Sequence, residues 1–515
     1  MEEFRLAQHF VLLVYPFRYA PDMVHRSGRV RRLRDLRDRW VHWWTRLDDE
    51  ALVCALDDTY FFLPYVRSLL FPETDNLPSG DARQQVPSAR HWSGMPCDDL
   101  ARQVPTDAVL RLTLRPDHLK PWRHLRLRFE RGEDRFEAAT TVDWVDVLLF
   151  PQCIGFLVLR IHMQEEAPSV SRLNEFLGRV RLVHPPRVDW TLAAWEWTQD
   201  GRSIRFQNRD LVDFLLQGLT MAETPRLRPN LSDFLEALAR SPEARYTDTP
   251  DGQVYGQVFH LYVYACLDRT NPGVEEAPAS GLWTSPSERI LYELATVTPT
   301  DIPDYWPHPD YVAHLRQKHA IRLWANWQGM ALHDNVVFLG LWRSPFTIGG
   351  LPHNVENDYF HLYLFALFQK VRLSMMFGEL VRREAPLGQR LREARRLWDA
   401  FMEFQNHYWF TEVTRKPQGV EIYHRFQEGL GAVPLYEELQ AEVRELRDHY
   451  ERKFERQISS LLNFLTFVGL PAGLLVELFS NALIRQATWG EFLLTALLMY
   501  AVLGGLWLLW RFFRR

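Results

Sequence analysis

The chain has 515 residues, enough for two or three domains, and 24% of them are charged, which is ordinary for a folded protein. Its net charge of −5 gives no reason to expect nucleic acid as a partner. The four cysteines, Cys54, Cys97, Cys153 and Cys266, form no CxxC pair, so neither a disulfide framework nor a zinc site is predicted.

Residues 1–355 predict a cytosolic sensor domain of mixed α and β structure, in the α+β class. The stretches FVLLVYPFRY, HLRLRFER, GQVFHLYVYACL and NVVFLGL predict strands, because they alternate or are apolar throughout. VDVLLFPQCIGFLVLRI predicts two strands with a turn between them. SVSRLNEFLGRVRLV predicts a helix with a serine cap, and ERILYELATV predicts another helix. The N-terminus lacks the basic region and cleavage site of a signal peptide, which favours the cytosol.

An arginine-rich stretch near the N-terminus is a candidate ligand site. Seven arginines fall within the fourteen positions 26–39. Guanidinium groups match the geometry of phosphate oxygens, so Arg31, Arg32 and Arg34 are candidates for binding a nucleotide or second messenger. The alternative interpretation is a solvent-exposed helix face, with Asp35 and Asp38 as partners of the arginines.

Residues 356–457 predict a region of long helices that resembles a stalk. LGQRLREARRLWDAFMEFQNHYWF has apolar residues at spacings of three and four. From about Pro434 the same spacing continues without a Gly or Pro break as far as residue 458. One helix is therefore expected to run from about 434 directly into the segment that follows.

Residues 458–515 predict a transmembrane hairpin with spans at about 458–479 and 492–510. The runs 458–476 and 492–510 are each free of charge and match the ~20 residues that cross a bilayer. A buried helical hairpin is the alternative. Basic residues flank the hairpin on its outer sides, which predicts that both termini lie in the cytoplasm of a multi-pass protein in the bacterial inner membrane.

This organisation resembles the CorA family of divalent metal ion transporters. The likeness is strengthened by a family-like motif at positions Gln405, Asn406, Tyr408, Trp409, Phe410, Gln418, Glu421, Ile422 and Tyr423. The resemblance implies a homopentamer in which the first spans line a pore, and Mg²⁺ or another divalent cation as the transported or regulatory ion. The Gly-Met-Asn signature of the family is absent, and FSNA stands at 479–482 in that neighbourhood.

Polar and small residues recur at spacings of three and four along the first predicted span. The candidates for lining a pore are Asn463, Thr466, Gly473, Glu477, Ser480 and Asn481. Such a stripe is costly against lipid and reasonable against a water-filled pore, where five copies of Glu477 would form a carboxylate ring. Alternatively, Glu477 reaches water at the membrane interface while Asn463 and Thr466 bridge helices. No set of metal ligands is assigned.

Two functions follow from these features, and neither is enzymatic, because the chain has no Walker loop, GxSxG or HExxH motif. The first is a CorA-like homopentameric channel or transporter that passes cations and is gated by its cytosolic domain. The second is a ligand-gated membrane effector of antiviral defence, similar to CorA-like proteins beside type III CRISPR systems, that responds to a nucleotide second messenger. A membrane-anchored scaffold without a pore is a third, and direct nucleic-acid binding is not expected.

Overall fold

A computed structural model gives the fold of the chain. It describes residues 4–19, 44–46, 61–71, 108–184, 192–199, 201–217, 230–240, 258–269, 283, 285–300, 303–381 and 387–464, together with 466, 473, 490, 493, 494, 497, 500, 501 and 504. Most of these residues belong to one large sheet and to the helices that cover it.

In the described part of the chain, twelve strands form a single mixed sheet. They are β1 Leu6–Arg18, β2 Trp44–Arg46, β3 Leu110–Leu114, β4 His124–Arg131, β5 Asp134–Phe150, β6 Ile154–Met163, β7 Ala194–Gln199, β8 Arg202–Phe206, β9 His260–Leu267, β10 Ala320–Trp324, β11 Trp327–Ala331 and β12 Asn335–Gly340. The main order is β10-β11-β12-β9-β1-β6-β5-β4-β7-β8, and β3 pairs with both β2 and β5. The β9–β12 pair is parallel, whereas β1 runs antiparallel to both of its neighbours, β6 and β9.

The first strand, β1, lies in the middle of the sheet and is buried on both faces. Phe10, Leu12 and Val14 point to one face, and Val11 and Leu13 point to the other. Each of these five side chains is at most 1% exposed. A strand that is covered on both faces needs an uninterrupted apolar run, so the strand predicted from FVLLVYPFRY is confirmed.

The helices follow the strands in the order of the chain. Those of seven or more residues are α1 Pro64–Leu70, α2 Val170–Val180, α3 Asn208–Leu215, α4 Leu231–Arg240, α5 Pro286–Thr296, α6 Pro309–His319, α7 Phe360–Val381, α8 Leu387–His407, α9 Pro417–Gly429 and α10 Ala432–Phe464. Two π-helical segments, Phe346–Gly350 and Val355–Tyr359, precede α7. The predicted serine cap of α2 is confirmed, because Ser169 Oγ accepts a hydrogen bond from the Arg172 amide at 3.2 Å.

Helices α2 to α6 supply one layer against the sheet. Their apolar side chains form one buried cluster with strand residues such as Val11, Leu13 and Leu159. This burial removes a large apolar area from water, and each fully buried side chain of this size contributes about 1.5–3 kcal/mol before entropy is counted. The α+β domain predicted for the N-terminal half therefore has a continuous core on this face.

The opposite face of the sheet is covered by α7 and α9, and its core is largely aromatic. Phe10 of β1 stacks on Tyr264 of β9 with ring centroids 5.4 Å apart, and Phe150 of β5 stacks on Phe368 of α7 at 4.8 Å. The Tyr262 hydroxyl donates a hydrogen bond to the carbonyl oxygen of Val355 at 2.8 Å. The sheet thus lies between two helical layers, which explains why β1 is buried on both sides.

The long helices α8 and α10 are divided between two compact units. The first unit comprises residues 1–378 and 404–437, and the second comprises 379–403 and 438–515. Within the second unit, Leu397 of α8 and Leu439 and Val443 of α10 are buried. The Arg447 guanidinium lies 5.0 Å from the ring centroid of Trp398. Leu397, Leu439 and Val443, which belong to the apolar spacing read from the sequence, are therefore packing positions of these two helices.

The prediction of two C-terminal transmembrane helices is wrong. None of the helices in the described part of the chain is long and apolar enough to cross a membrane. Helix α10 ends at Phe464, shortly after it enters the first predicted span, and its preceding turns carry Arg452, Lys453 and Arg456. Within the second predicted span, 492–510, the structure describes only isolated positions.

Two further predictions rested on those spans. The predicted fold class placed long helices ahead of two membrane-crossing helices, and it is corrected to a large mixed sheet between helical layers with long helices α8 and α10. The predicted multi-pass localisation in the bacterial inner membrane is corrected by the same finding. The mixed sheet and both long helices themselves are present in the structure.

The contact between α9 and β11 generates a test of the fold. A Cβ atom on Gly429 would lie 2.3 Å from the Ala331 carbonyl oxygen, so the Gly429→Ala variant must move the backbone of α9 away from that of β11. We expect it to lower the free energy of unfolding by about 1–3 kcal/mol, as overpacking does. A Cβ on Gly378 in α7 meets no atom within 4 Å. Gly378→Ala, the matched control, should raise stability by about 0.5–1 kcal/mol. Urea denaturation of both variants checks this, and equal effects would contradict the close approach.

Candidate functional site

The predicted pore residues are only partly described. Asn463 in α10 and Thr466 are exposed, and Thr466 Oγ1 donates a hydrogen bond to the Leu462 carbonyl oxygen at 2.8 Å. Gly473 is helical and exposed. Six predicted site residues lie outside the described residues: Glu477, Ser480, Asn481, Arg31, Arg32 and Arg34. The pore stripe and the arginine cluster therefore both stay predictions.

The motif at 405–423 forms a junction around the start of α10. Trp409 stacks on Tyr436 of α10 with ring centroids 4.1 Å apart and an interplanar angle of 2°. Phe410 stacks on Phe365 of α7 with centroids 5.8 Å apart. Tyr408 is buried as well. These aromatic residues fix the last turn of α8 and the first turn of α10 to the helices that cover the sheet.

A buried polar network lies within this junction. The Gln369 side-chain amide donates to the Tyr408 carbonyl oxygen at 2.7 Å. The Tyr423 hydroxyl donates to Gln369 Oε1 at 2.9 Å, and Gln427 Nε2 donates to the same oxygen at 2.8 Å. Buried networks of this kind hold one geometry strongly when every member is satisfied. We call Gln369, Tyr408, Trp409, Phe410, Tyr423, Gln427 and Tyr436 the junction.

Five ionisable side chains meet where the parallel strands β9 and β12 begin. His260 is the first residue of β9, and Asp334 directly precedes β12. The Leu261 amide donates to the Asp334 carbonyl oxygen at 2.9 Å, which holds these two strand ends side by side. The group, which we call the His260 cluster, consists of Arg181, His260, His333, Asp334 and Lys370.

The His260 cluster has a buried floor and an accessible side. Lys370 Nζ lies 3.2 Å from each ring nitrogen of His333 and 3.1 Å from the His333 carbonyl oxygen. Asp334 lies 3.8 Å from His260 Nδ1 through Oδ1 and 3.8 Å from Arg181 Nη2 through Oδ2. The His260 side chain is 7% exposed, whereas those of Asp334 and Arg181 are each 29% exposed.

Burial, together with the charge of Lys370, keeps the imidazoles of the cluster neutral. Burial, followed by the charge of Lys370, lowers the pKa of His260 to about 3. Burial lowers the pKa of Lys370 to about 8, and Asp334 opposes this shift. Burial and Lys370 also lower the pKa of His333. One carboxylate therefore faces two cations and two imidazoles that are kept neutral.

Two buried polar atoms at the cluster have no hydrogen-bond partner. They are His260 Nδ1 and the hydroxyl of Tyr363, a fully buried residue of α7. Burial and then the charge of Asp334 raise the pKa of Tyr363, which relates this hydroxyl to the cluster. Buried polar groups are nearly always hydrogen-bonded, and an unsatisfied one costs about 1–3 kcal/mol. The cluster thus presents unmet hydrogen-bonding capacity.

A second charged cluster, in contrast, is internally balanced. Asp143 Oδ2 pairs with Arg160 and accepts a hydrogen bond from His162 Nδ1 at 2.9 Å. Glu356 in the second π-helical segment lies 3.3 Å from Arg160 Nε and accepts from Trp144 Nε1 at 3.1 Å. Burial would raise the pKa of Asp143, but the hydrogen bond from His162 and the charge of Arg160 lower it. This cluster fastens the sheet to the segment before α7.

The comparisons with known proteins do not place the chain in a family. No family model, no curated protein and no solved structure matches it. The CorA resemblance, the homopentamer and ion transport therefore stay predictions. Within the described part of the chain, no group of three or more His, Cys, Asp or Glu residues is arranged to hold a metal ion.

Sequence reasoning missed the His260 cluster. Its members come from the end of α2, the start of β9, the turn before β12 and the middle of α7, so no spacing in the sequence brings them together. The one signal in the sequence was a histidine, His260, at the start of an apolar strand. That pattern is equally common for a core histidine whose hydrogen bonds are all made within the protein. The pairing of β9 with β12 is what assembles the cluster.

The buried histidines generate a pH test. Burial lowers the pKa of His9 and of His184 to about 4 and that of His260 to about 3. The unfolded chain binds more protons than the folded one between pH 6.5 and about 4, so the free energy of unfolding should fall as the pH drops through this window. Each unit of pKa difference corresponds to about 1.4 kcal/mol. Urea denaturation at a series of pH values measures the slope.

Two variants isolate the contribution of one histidine. His9 Nε2 accepts a hydrogen bond from the Met163 amide at 3.1 Å, which a glutamine oxygen can also accept. His9→Gln should therefore flatten the slope. His308, whose side chain is 74% exposed, provides the control His308→Gln, which should leave the slope unchanged. Wild-type stability that is constant from pH 7 to pH 5 would contradict the assignment.

Proposed function

We propose that this chain is a ligand-responsive effector, in which the sheet unit receives a small-molecule signal and α8 and α10 carry the response. The observation that supports the proposal is the junction. The last turn of α8 and the first turn of α10 belong to the sheet unit, whereas the remainder of both helices belongs to the second unit. Any rearrangement of α7 or α9 thus acts on the ends of both helices at once.

The junction has the physical properties of a coupling element. Its side chains are largely buried, and their hydrogen bonds and ring stacks leave few alternative arrangements. Packed interiors change between discrete arrangements more readily than they deform continuously. A ligand that favours one arrangement of α7 would therefore change the populations of two states of α8 and α10.

A nucleotide second messenger is the ligand class that we propose. Two features support this class. Cationic side chains outnumber anionic ones at the His260 cluster, and the sequence has seven arginines at positions 26–39. Guanidinium, ammonium and imidazolium groups are the side chains that bind phosphate in proteins. The His260 cluster and the junction share helix α7, because Lys370 belongs to the cluster and the neighbouring residue Gln369 belongs to the junction.

Hydrogen exchange tests the proposal directly. We expect cyclic oligoadenylates or cyclic dinucleotides, added to the full chain, to change amide exchange in α8 and α10 as well as near the binding site. Tyr423→Phe removes the hydroxyl that donates to Gln369 and should cost about 0.5–1.5 kcal/mol of stability. It should preserve nucleotide affinity but reduce the exchange response in α8 and α10.

The matched control is a tyrosine away from the junction. Tyr311 in α6 is 50% exposed, so Tyr311→Phe should leave both affinity and response at wild-type values. Calorimetry on the same samples reports the affinity independently of exchange. The proposal fails if no nucleotide of the panel binds, or if a bound nucleotide leaves exchange in α8 and α10 unchanged.

A further inference from the structure

We propose that the His260 cluster binds the phosphate group of a small phosphorylated molecule. The inference rests on the proposed function, for which it supplies the ligand-binding site and the chemical group recognised. It is carried by the convergence of Arg181, His260, His333 and Lys370 around Asp334, the one carboxylate among the described residues of the cluster. We call this site, which is buried at His260 and partly exposed at Arg181 and Asp334, the recess.

The charges of the cluster are left incompletely paired. Arg181 and Lys370 carry positive charge, and Asp334 carries the opposing negative charge at 3.8 Å from Arg181. The Lys370 ammonium contacts the ring nitrogens and the carbonyl oxygen of His333, which supply no negative charge when the imidazole is neutral. Buried cations are normally paired with anions, because an unpaired one loses hydration without compensation. Among the described residues of the cluster, two cations, Arg181 and Lys370, thus stand against one carboxylate, Asp334.

The hydrogen-bonding groups match a phosphate better than a carboxylate. His260 Nδ1 and the Tyr363 hydroxyl have no partner, and Lys370 Nζ and Arg181 carry further N–H donors. A phosphate monoester has three terminal oxygens and up to two charges, whereas a carboxylate has two oxygens and one charge. A group with more acceptors satisfies more of these donors.

Binding of an anion should be linked to protonation. The titratable and charged groups that face the recess are Arg181 from the end of α2, His260 from β9, His333 and Asp334 from the turn before β12, and Tyr363 and Lys370 from α7. A bound anion favours the charged forms of the imidazoles and the amine. The complex therefore takes up protons, and affinity should rise as the pH falls.

A buried water molecule that bridges His260, Tyr363 and Asp334 is the competing explanation of the unpartnered atoms. Water satisfies hydrogen bonds but supplies no negative charge. The two explanations consequently differ in their response to added anions and to removal of the Lys370 charge.

Calorimetry on the full chain with inorganic phosphate and with AMP tests the site. We expect a dissociation constant below about 1 mM for at least one of them. Tighter binding of AMP than of inorganic phosphate would assign the ligand as a nucleotide, and the reverse would assign it as free phosphate. Absence of binding of both at pH 6 would overturn the proposal in favour of a water-filled recess.

Variants of opposite sign make the test specific. Lys370→Met keeps the apolar stem and removes the charge, and it should weaken phosphate binding by about tenfold or more. Asp334→Asn removes the carboxylate of the cluster and should strengthen binding. Lys120, an exposed lysine at the start of the short 3₁₀ helix Lys120–Trp122, provides the matched control Lys120→Met, which should bind as the wild type does. Unchanged affinity in Lys370→Met, with the fold confirmed by circular dichroism, would overturn the site.

Sulfate separates the titration of the protein from that of the ligand. It carries the same two charges between pH 6 and pH 8, so a change in its affinity reports protons bound by the protein. We expect sulfate affinity to rise by up to about tenfold per pH unit for each proton taken up, and to rise less in Lys370→Met. An affinity independent of pH would show that the imidazoles and the amine do not contact the anion.

These outcomes are separable from those of the proposed function. If nucleotide still binds to Lys370→Met and still changes amide exchange in α8 and α10, the proposed phosphate site is wrong and the effector function is supported. Phosphate binding that is lost in Lys370→Met, without any exchange response in α8 and α10, supports this site and removes the effector.

Discussion

The architecture depends on the burial of β1 on both of its faces. A strand with apolar side chains on each side can be stable only if a layer of helices covers each face of the sheet. One layer mixes aliphatic and aromatic side chains and is supplied by α2 to α6, and the other is largely aromatic and is supplied by α7 and α9. Because α7 is held on the sheet by this requirement, it is also a fixed support for whatever contacts its other residues, Gln369 and Lys370 among them.

The two charged clusters contain the same residue types but differ in how completely their charges and hydrogen-bonding groups are paired. At Asp143 each charge has an opposite partner, and its carboxylate is stabilised in the ionised form. At His260 the positive groups outnumber the carboxylate, and two polar atoms stay without partners. The first arrangement stabilises the fold. The second costs stability, and such a cost is common at sites that bind ligands.

Local elements could be predicted from the sequence, whereas their assembly could not. Strands such as β1, β4 and β9 and helices such as α2, α8 and α10 follow from hydrophobic period and capping, which act within ten to twenty residues. The apolar runs after residue 457 satisfied the length rule for a span, but none of the helices in the described part of the chain is long and apolar enough to cross a membrane. The His260 cluster depends on the parallel pairing of β9 with β12, which no local pattern encodes.

The place of β1 in the sheet also governs the order in which the chain can fold. One neighbour, β6, begins at Ile154 and the other, β9, begins at His260, although β1 ends at Arg18. At a synthesis rate of about 5–20 residues per second, roughly 10–50 s pass between the synthesis of β1 and that of β9, which pairs with its second edge. Until then an apolar strand with open hydrogen-bonding groups is exposed to other chains. The edge of β1 that pairs with β9 therefore stays open through much of synthesis, and this interval favours aggregation over folding.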